Sequence, residues 1–277
     1  MLIEGRKIAE EVKGRLTKRI EENKSKLTLG IVLVHETAPV RQFIELKRRC
    51  ASDIGVHVDM IQLGPMAQKN EDLLSLVLHA TRDHDGIILQ LPLPHQFSLE
   101  MVLNLFPLSH DVDVIGNTAY KQFEEGMLPF FPPVVGAFAE ILHHYGIGLA
   151  GRKVLVVGEG RLVGGPAAIW ARRLGAHVTV ANKETENLAE LTKEAEVLIL
   201  GAGVPGLITP EMVQDNVIVF DAGTSEVGGV VKGDADPAVA EKAAFFTPTP
   251  RGIGPITVAK VFENLITLSE IKKKNLR

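Results

Sequence analysis

The chain has 277 residues, 45% of them hydrophobic and 23% charged, with a formal net charge of −4. That length suits two domains of ordinary size with sizeable cores, and the charge excludes a basic nucleic-acid or membrane-surface binder. The single cysteine, Cys50, excludes an intrachain disulfide and a cysteine-based zinc site.

The opening Met1-Leu2-Ile3-Glu4-Gly5-Arg6 reaches charge too early for a signal peptide, and no uncharged run has the length of a membrane helix. A cytoplasmic protein is expected, with neither nucleic acid nor membrane as partner. Ile8, Val12, Leu16 and Ile20 space a helix over 6–23. A strand over 27–34 follows, then a helix over 39–54 with proline in its first turn and Gly55 just past its end. Strand 57–63, helix 72–84 and strand 86–91 complete a β–α–β–α–β series, which predicts a parallel sheet with crossover helices. Residues 104–131 read as irregular, and a helix over 134–145 forms the interdomain connection. A second series takes strands at 153–157, 177–181, 197–200 and 217–221, with helices at 164–174, 187–194 and 210–213. A turn-rich segment over 247–255, a helix over 257–271 and a solvated tail at Lys272-Lys273-Lys274 close the chain. The expected architecture is two α/β domains, the second a Rossmann-type dinucleotide-binding domain with a mainly parallel sheet. Residues 1–128 with the C-terminal helix 256–277 make the first, and 129–255 the second. No metal site is expected: His143 and His144 adjoin on a helix and cannot face one ligand together.

The strand Val154–Val157 runs straight into Gly158-Glu159-Gly160-Arg161-Leu162-Val163-Gly164, and a helix follows. Gly158 permits the tight turn, Gly160 lets the backbone approach a pyrophosphate, and Gly164 allows close helix–strand packing. The free N–H groups and positive dipole end of the helix then face the phosphates. The spacing is one residue longer than the commonest dinucleotide fingerprint. The next strand ends Ala181-Asn182-Lys183, without the acidic residue that usually binds the 2′-hydroxyl of NAD. Lys183 suits a 2′-phosphate, whereas Glu159 would repel one. The reading therefore leans to NADP and leaves NAD open; a solvated loop lysine is the plain alternative for Lys183.

At 100° per residue, Val40, Phe43, Ile44, Cys50, Ala51 and Ile54 share one face of the helix 39–54, and Lys47 falls in its middle. A lysine there must snorkel, pair or act; burial would lower its pKa and make it usable near neutral pH. Gln90 stands in the apolar strand 86–91 at the carboxyl end, the edge where open parallel sheets bind ligands. It is either a satisfied structural amide or a site residue. Asp111 and Asp113 alternate in His110-Asp111-Val112-Asp113, so one can reach a site while the other caps a turn; a solvated loop is the default for both.

Together these segments resemble the bifunctional methylenetetrahydrofolate dehydrogenase/methenyltetrahydrofolate cyclohydrolase family over nearly the whole chain. The landmarks, in order, are Lys47 in its helix, 85–94 from Asp85 through Gln90 to Pro94, Asp111-Val112-Asp113 and the phosphate loop through Pro166. Asp221-Ala222-Gly223, Gly233-Asp234 and the segment Thr247–Thr257 complete the series. The resemblance implies a tetrahydrofolate derivative as substrate, in a cleft between a folate domain and a nucleotide domain, and a homodimer. It implies that Lys47 is the catalytic lysine, Gln90 its hydrogen-bonding partner and Asp113 a contact to the pterin ring. Phe43, Leu91, Pro92, Arg251, Gly252, Gly254 and Pro255 would border the folate, the last four in a segment stiffened by prolines. The cofactor contacts would be Gly158, Glu159, Gly160, Arg161, Val163 and Gly164, then Asn182, Lys183 and Thr185, then Gly201, Ala202, Gly203, Asp221 and Gly223.

The chain departs from the family at several of these positions. Phe43 and Val40 replace a tyrosine and a serine of the lysine helix, Gly160 a serine of the phosphate loop, and Asn182 a histidine. Arg251 and Val114 each replace a glycine. The expected activity is oxidation of 5,10-methylenetetrahydrofolate followed by hydrolysis to 10-formyltetrahydrofolate. Alternatives are a dehydrogenase that has lost the second step with the tyrosine hydroxyl, a Rossmann enzyme acting on another small or pterin-like substrate, and a non-catalytic folate- or nucleotide-binding paralogue.

Overall fold

A computed structural model describes residues 1–24, 26–64 and 69–275. In chain order the elements are α1 (Gly5–Glu22), β1 (Thr28–Leu33), α2 (Ala38–Ile54), β2 (His57–Gln62), α3 (Asn70–Ala80), β3 (Gly86–Leu89), α4 (Leu99–Leu105), α5 (Asn117–Glu125) and α6 (Pro133–Tyr145). Then come β4 (Lys153–Val157), α7 (Gly164–Arg173), β5 (His177–Ala181), α8 (Leu188–Glu194), β6 (Val197–Leu200), β7 (Ile218–Asp221), β8 (Ser225–Val227), β9 (Val230–Lys232), β10 (Phe245–Thr247) and α9 (Ile253–Asn275). The chain divides into two units, one of Glu11–Pro133 with the chain from Val258 onward, the other of Met1–Glu10 with Val134–Thr257. Among the described residues no helix is long and apolar enough to cross a membrane.

The first unit carries a parallel sheet of order β2-β1-β3. Its central strand β1 is buried almost throughout, as expected of a parallel strand covered on both faces. Val32, Ile87 and Leu89 pack with Leu73 and Val77 of α3 and with Val102 and Leu103 of α4. On α2, Thr37 caps the N-terminus by accepting from the Val40 N–H, and Gly55 ends the helix at φ 75°, a left-handed turn natural to glycine. Gly86 has no room for a side chain: a Cβ there would meet Val112 and Leu265. That closeness lets the segment at Asp111 pair with Ile87 through one parallel bridge, extending the sheet beside β3.

The second unit carries a parallel sheet of order β10-β7-β6-β4-β5, with a short antiparallel pair, β8–β9. Leu155, Val157, Leu198, Leu200, Val219 and Phe246 lie in one apolar cluster of its core. Since β4 is flanked by β6 on one side and β5 on the other, the chain reverses direction across the sheet at the carboxyl end of β4. That is where open α/β sheets bind ligands.

The structure corrects the sequence reading in several places. Residues 1–10 belong with the second unit: Leu2 bridges Phe246 in parallel, the Ile3 N–H donates to the Phe246 carbonyl at 2.8 Å, and Ile3 is buried. The segment 104–131 contains the helix α5, which buries Ala119 and Phe123, four residues apart. Gly116 and Gly126 at its ends made so short a helix look like a loop. Helix α3 stops at Ala80, the 210–213 helix is a three-residue 3-10 turn over Pro210–Met212, and α9 begins at Ile253. The basic tail is not simply solvated, because the Lys272 ammonium donates to the Asp85 carbonyl at 2.8 Å and burial lowers its pKa.

Asn264 of α9 is buried and its Nδ2 donates to the carbonyls of Val112 and Phe131, both at 2.8 Å. Replacing it with leucine leaves the buried Val112 carbonyl and the part-buried Phe131 carbonyl without their donor. Asn264→Leu should therefore lower stability by about 2 kcal/mol, read as an earlier urea midpoint at unchanged slope; an unmoved midpoint would contradict that role.

Candidate active site

Lys47 sits at 7% exposure on the α2 face formed by Val40, Ile44, Cys50, Ala51 and Ile54. Its Nζ donates to the Gln90 Oε1 at 2.9 Å. The Gln90 backbone N–H continues the ladder to the Val32 carbonyl, and its Nε2 donates to the Leu91 carbonyl at 3.1 Å. That second bond fixes the amide the right way round, so its oxygen faces the lysine. Burial pulls the Lys47 pKa below the ordinary 10.5, and the nearby Asp113 carboxylate pulls it partly back. Burial likewise pushes Asp113 above 3.8, with Lys47 drawing it down. Both effects move the pair toward an uncharged amine and an uncharged acid.

The alternation of the two aspartates is realised as a division of labour. Asp111, at 1% exposure, accepts from the N–H groups of Ile115 at 3.1 Å and Gly116 at 2.7 Å. It folds the loop back on itself, while Asp113 is the one close to Lys47. Just after Asp113 the backbone is strained at Val114, whose φ of 57° is unusual for a β-branched residue. Burial raises the Asp111 pKa to about 7 in spite of these bonds.

In the second unit Gly158 and Gly164 take up the turn and the close packing read for them from the sequence. Gly158 turns at φ 98°, and a Cβ there would meet the Gly201 carbonyl. A Cβ on Gly164 would run into the Gly158 carbonyl oxygen, so that glycine sets the approach of α7 to β4. A Cβ on Gly160 would meet nothing within 4 Å, leaving the loop open on that side. Val163 offers α7 no side-chain cap, so nothing of that kind competes for its N-terminal amides. These features fit a pyrophosphate. At the end of β5, Asn182 donates from Nδ2 to Glu159 at 3.4 Å, and Thr185 Oγ1 accepts from the Asn182 N–H. Lys183 is exposed.

The comparisons with known proteins agree with this geometry. The family model of the tetrahydrofolate dehydrogenase/cyclohydrolase catalytic domain matches residues 3–113, and that of the NAD(P)-binding domain of the same family matches residues 132–273. The chain belongs to this family. A bifunctional protein FolD from Nautilia profundicola is 32% identical over 100% of the chain and 99% of its own, and one from Nitratiruptor is 30% identical over 99% of each. The crystal structure of the Campylobacter jejuni bifunctional FolD superposes with a TM-score of 0.92 at 26% identity, over 98% of this chain and 99% of that one. A Trypanosoma brucei FolD, solved with NADP cofactor and inhibitor, gives 0.91 at 25% identity over 98% of each.

The tetrahydrofolate dehydrogenase/cyclohydrolase frame covers every residue expected in the site. Phe43 is half-buried one helical turn before Lys47; Leu91 is half-buried and Pro92 exposed. Arg251 is exposed at φ 87°, a left-handed conformation that suits the family glycine better than arginine. Gly252 is packed against the Pro248 carbonyl, whereas Gly254 and Pro255 lie in the first turn of α9 and not in a loop. Asp221 needs correction as a direct cofactor contact. It is 1% exposed, with Oδ1 accepting from the N–H groups of Gly223 and Asp234 and Oδ2 from that of Ala235. Gly223 has its Cβ position filled by the Asp234 carboxylate. Asp234, which the sequence marked only as a family landmark, in turn accepts from the N–H groups of Ala202, Gly203 and Val204. Those three amides are therefore engaged by the chain itself. The signal for this network was the pair of aspartates beside glycines, which sequence alone does not connect.

Asp221→Asn would place an amide donor opposite backbone N–H groups. The expected result is a loss of about 1–3 kcal/mol in urea unfolding; full stability with a selective loss of dinucleotide affinity would restore Asp221 as a direct contact. A raised aspartate pKa in the folded state favours folding most below the unfolded value. For Asp111 that contribution is complete below about 4 and is lost as pH rises through its folded value of about 7. Urea midpoints should fall across that window, with Asp111→Asn flattening the fall; a slope unchanged in the variant would assign it to other groups.

Proposed function

We propose that this chain oxidises 5,10-methylenetetrahydrofolate to 5,10-methenyltetrahydrofolate with NADP or NAD, the two acceptors its NAD(P)-binding domain admits, and then hydrolyses the product to 10-formyltetrahydrofolate. The observation that carries the reading is the buried Lys47 amine held by Gln90 beside Asp113. The nicotinamide dinucleotide, when bound, supplies the acceptor for the hydride that leaves the methylene carbon. Gly158, Gly160 and Gly164 shape the loop for its pyrophosphate.

In the hydrolytic half, water adds to the methenyl carbon and gives a proton to the neutral Lys47 amine. The bond from that carbon to N5 then breaks, N5 takes a proton, and the added oxygen becomes the formyl carbonyl; one proton is released overall. Gln90 holds the amine in place through its Oε1, and Asp113 contacts the pterin ring. The hydroxyl missing at Phe43 is not needed to hold Lys47, because the Gln90 amide is itself fixed by the Leu91 carbonyl. On the same family grounds we propose a cytoplasmic homodimer, which light scattering would show as twice the chain mass.

The test is absorbance at 340 nm with 5,10-methylenetetrahydrofolate and each dinucleotide, followed by decay of the methenyl absorbance. Lys47→Met should cut the enzyme-driven decay by roughly 100-fold or more. Undiminished decay in the variant would remove Lys47 from the mechanism, and no reduction of either dinucleotide by the wild-type chain would overturn the activity.

A further inference from the structure

The corner where β5 ends carries an arrangement that the proposed activity does not use. In dinucleotide sites of this topology, an acidic side chain at the end of the second strand accepts a hydrogen bond from the adenosine 2′-hydroxyl. Here β5 ends in Ala181-Asn182-Lys183, with no acid among them. A carboxylate nevertheless reaches this corner from the phosphate loop. The Gly158 N–H donates to the Ala181 carbonyl at 2.8 Å, tying that loop to the strand end. One residue on, Glu159 accepts from the Asn182 Nδ2.

The orientation of the Asn182 amide is settled by its other half. Its Oδ1 accepts from the Glu184 N–H at 2.9 Å, so Nδ2 must be the end that faces Glu159. The Asn182 N–H is fixed in turn by Thr185 Oγ1 at 3.0 Å. Asn182 is thus a clamp, held at two points and steering Glu159 Oε1. The Glu159 side chain is exposed, so its carboxylate is accessible from solvent. A carboxylate presented in this way is an acceptor for a ribose hydroxyl and a like charge to a phosphate. One opposing charge near this corner is Lys183, also exposed, with Glu184 beside it, and Arg161 lies two residues on from Glu159 in the phosphate loop. Among the described residues Lys183 shows no hydrogen bond to Asn182, whereas Glu159 has that contact, a long one at 3.4 Å.

We propose that Glu159, steered by Asn182, is the residue by which this chain reads the adenosine 2′ position, accepting a hydroxyl there and opposing a phosphate. The proposal rests on the dinucleotide reading of this loop. It makes Glu159 a specificity residue supplied from the loop after β4 in place of the missing acid at the end of β5.

Binding is the direct readout, because the fragments 5′-AMP and 2′,5′-ADP differ only at the 2′ position and undergo no reaction. Isothermal titration of the full chain with NAD, NADP and both fragments gives the ratio of affinities for the phosphorylated and unphosphorylated forms. In Glu159→Gln that ratio should move toward the 2′-phosphate by roughly tenfold, and the shift should shrink as salt rises from about 0.05 M to about 0.5 M, since an exposed charge is screened. Asn182→Ala, which frees the carboxylate, should move the ratio in the same direction by less. A ratio unchanged in Glu159→Gln, or moved only by Lys183→Gln, would overturn the inference while leaving the dinucleotide site intact. Failure of all four ligands to bind the wild-type chain would overturn the dinucleotide reading itself, and the inference with it.

Discussion

A lysine ammonium taken out of water must find a partner or give up its proton, and the first unit is arranged around that constraint. Lys47 occupies the middle of the one face of α2 that packs inward, so its charge cannot be left to solvent. Its hydrogen-bond partner comes from the end of β3, where the Gln90 side chain begins just as the strand stops. Its counter-charge comes from a third element, the loop after the Ile87–Asp111 bridge. The three parts are far apart in sequence and meet only because β3 has a glycine at residue 86, which admits that loop. Asp111 and the left-handed Val114 then turn the loop so that Asp113 stands near Lys47.

The second unit meets the opposite requirement, since it must leave backbone groups available to a ligand while satisfying those that no ligand reaches. Asp221 and Asp234 do the latter. Between them they accept from the amides of Gly223, Asp234, Ala235, Ala202, Gly203 and Val204, binding the loops after β6 and β7 into one hydrogen-bonded network. Both are raised in pKa by burial, Asp221 to about 6. The loop after β4 is built differently, with glycines and an uncapped helix start.

Much of this was legible in the sequence. The order of strands and helices followed from hydrophobic period and punctuation, and both parallel sheets formed as the alternation required. Lys47 and Gln90 stood out as polar residues in apolar surroundings, which is a local signal. The paired aspartates gave a choice, and their partners decided it: backbone N–H groups for Asp111, Lys47 for Asp113. What stayed hidden depends on contacts between distant segments. Nothing local says that Leu2 and Ile3 pair beside Phe246, or that Asp221 spends its carboxylate on Asp234 and Ala235. Lys272 looked like part of a charged tail because its partner, the Asp85 carbonyl, is a backbone atom with no signature in composition. The helix α5 escaped because nine residues between two glycines offer too few turns for a period to show.

The claim on which the account turns is that Lys47 is uncharged at a lower pH than an ordinary lysine because it is buried, and that Asp113 restrains the shift. The direct measurement is a pH titration of the lysine ε-carbon resonances by NMR, with the Lys47 signal assigned by its loss in Lys47→Met. The account predicts a Lys47 midpoint below 10.5, moving lower still in Asp113→Asn. A midpoint at the ordinary value, unmoved by that substitution, would mean that the amine is solvated and that the site does not work as described.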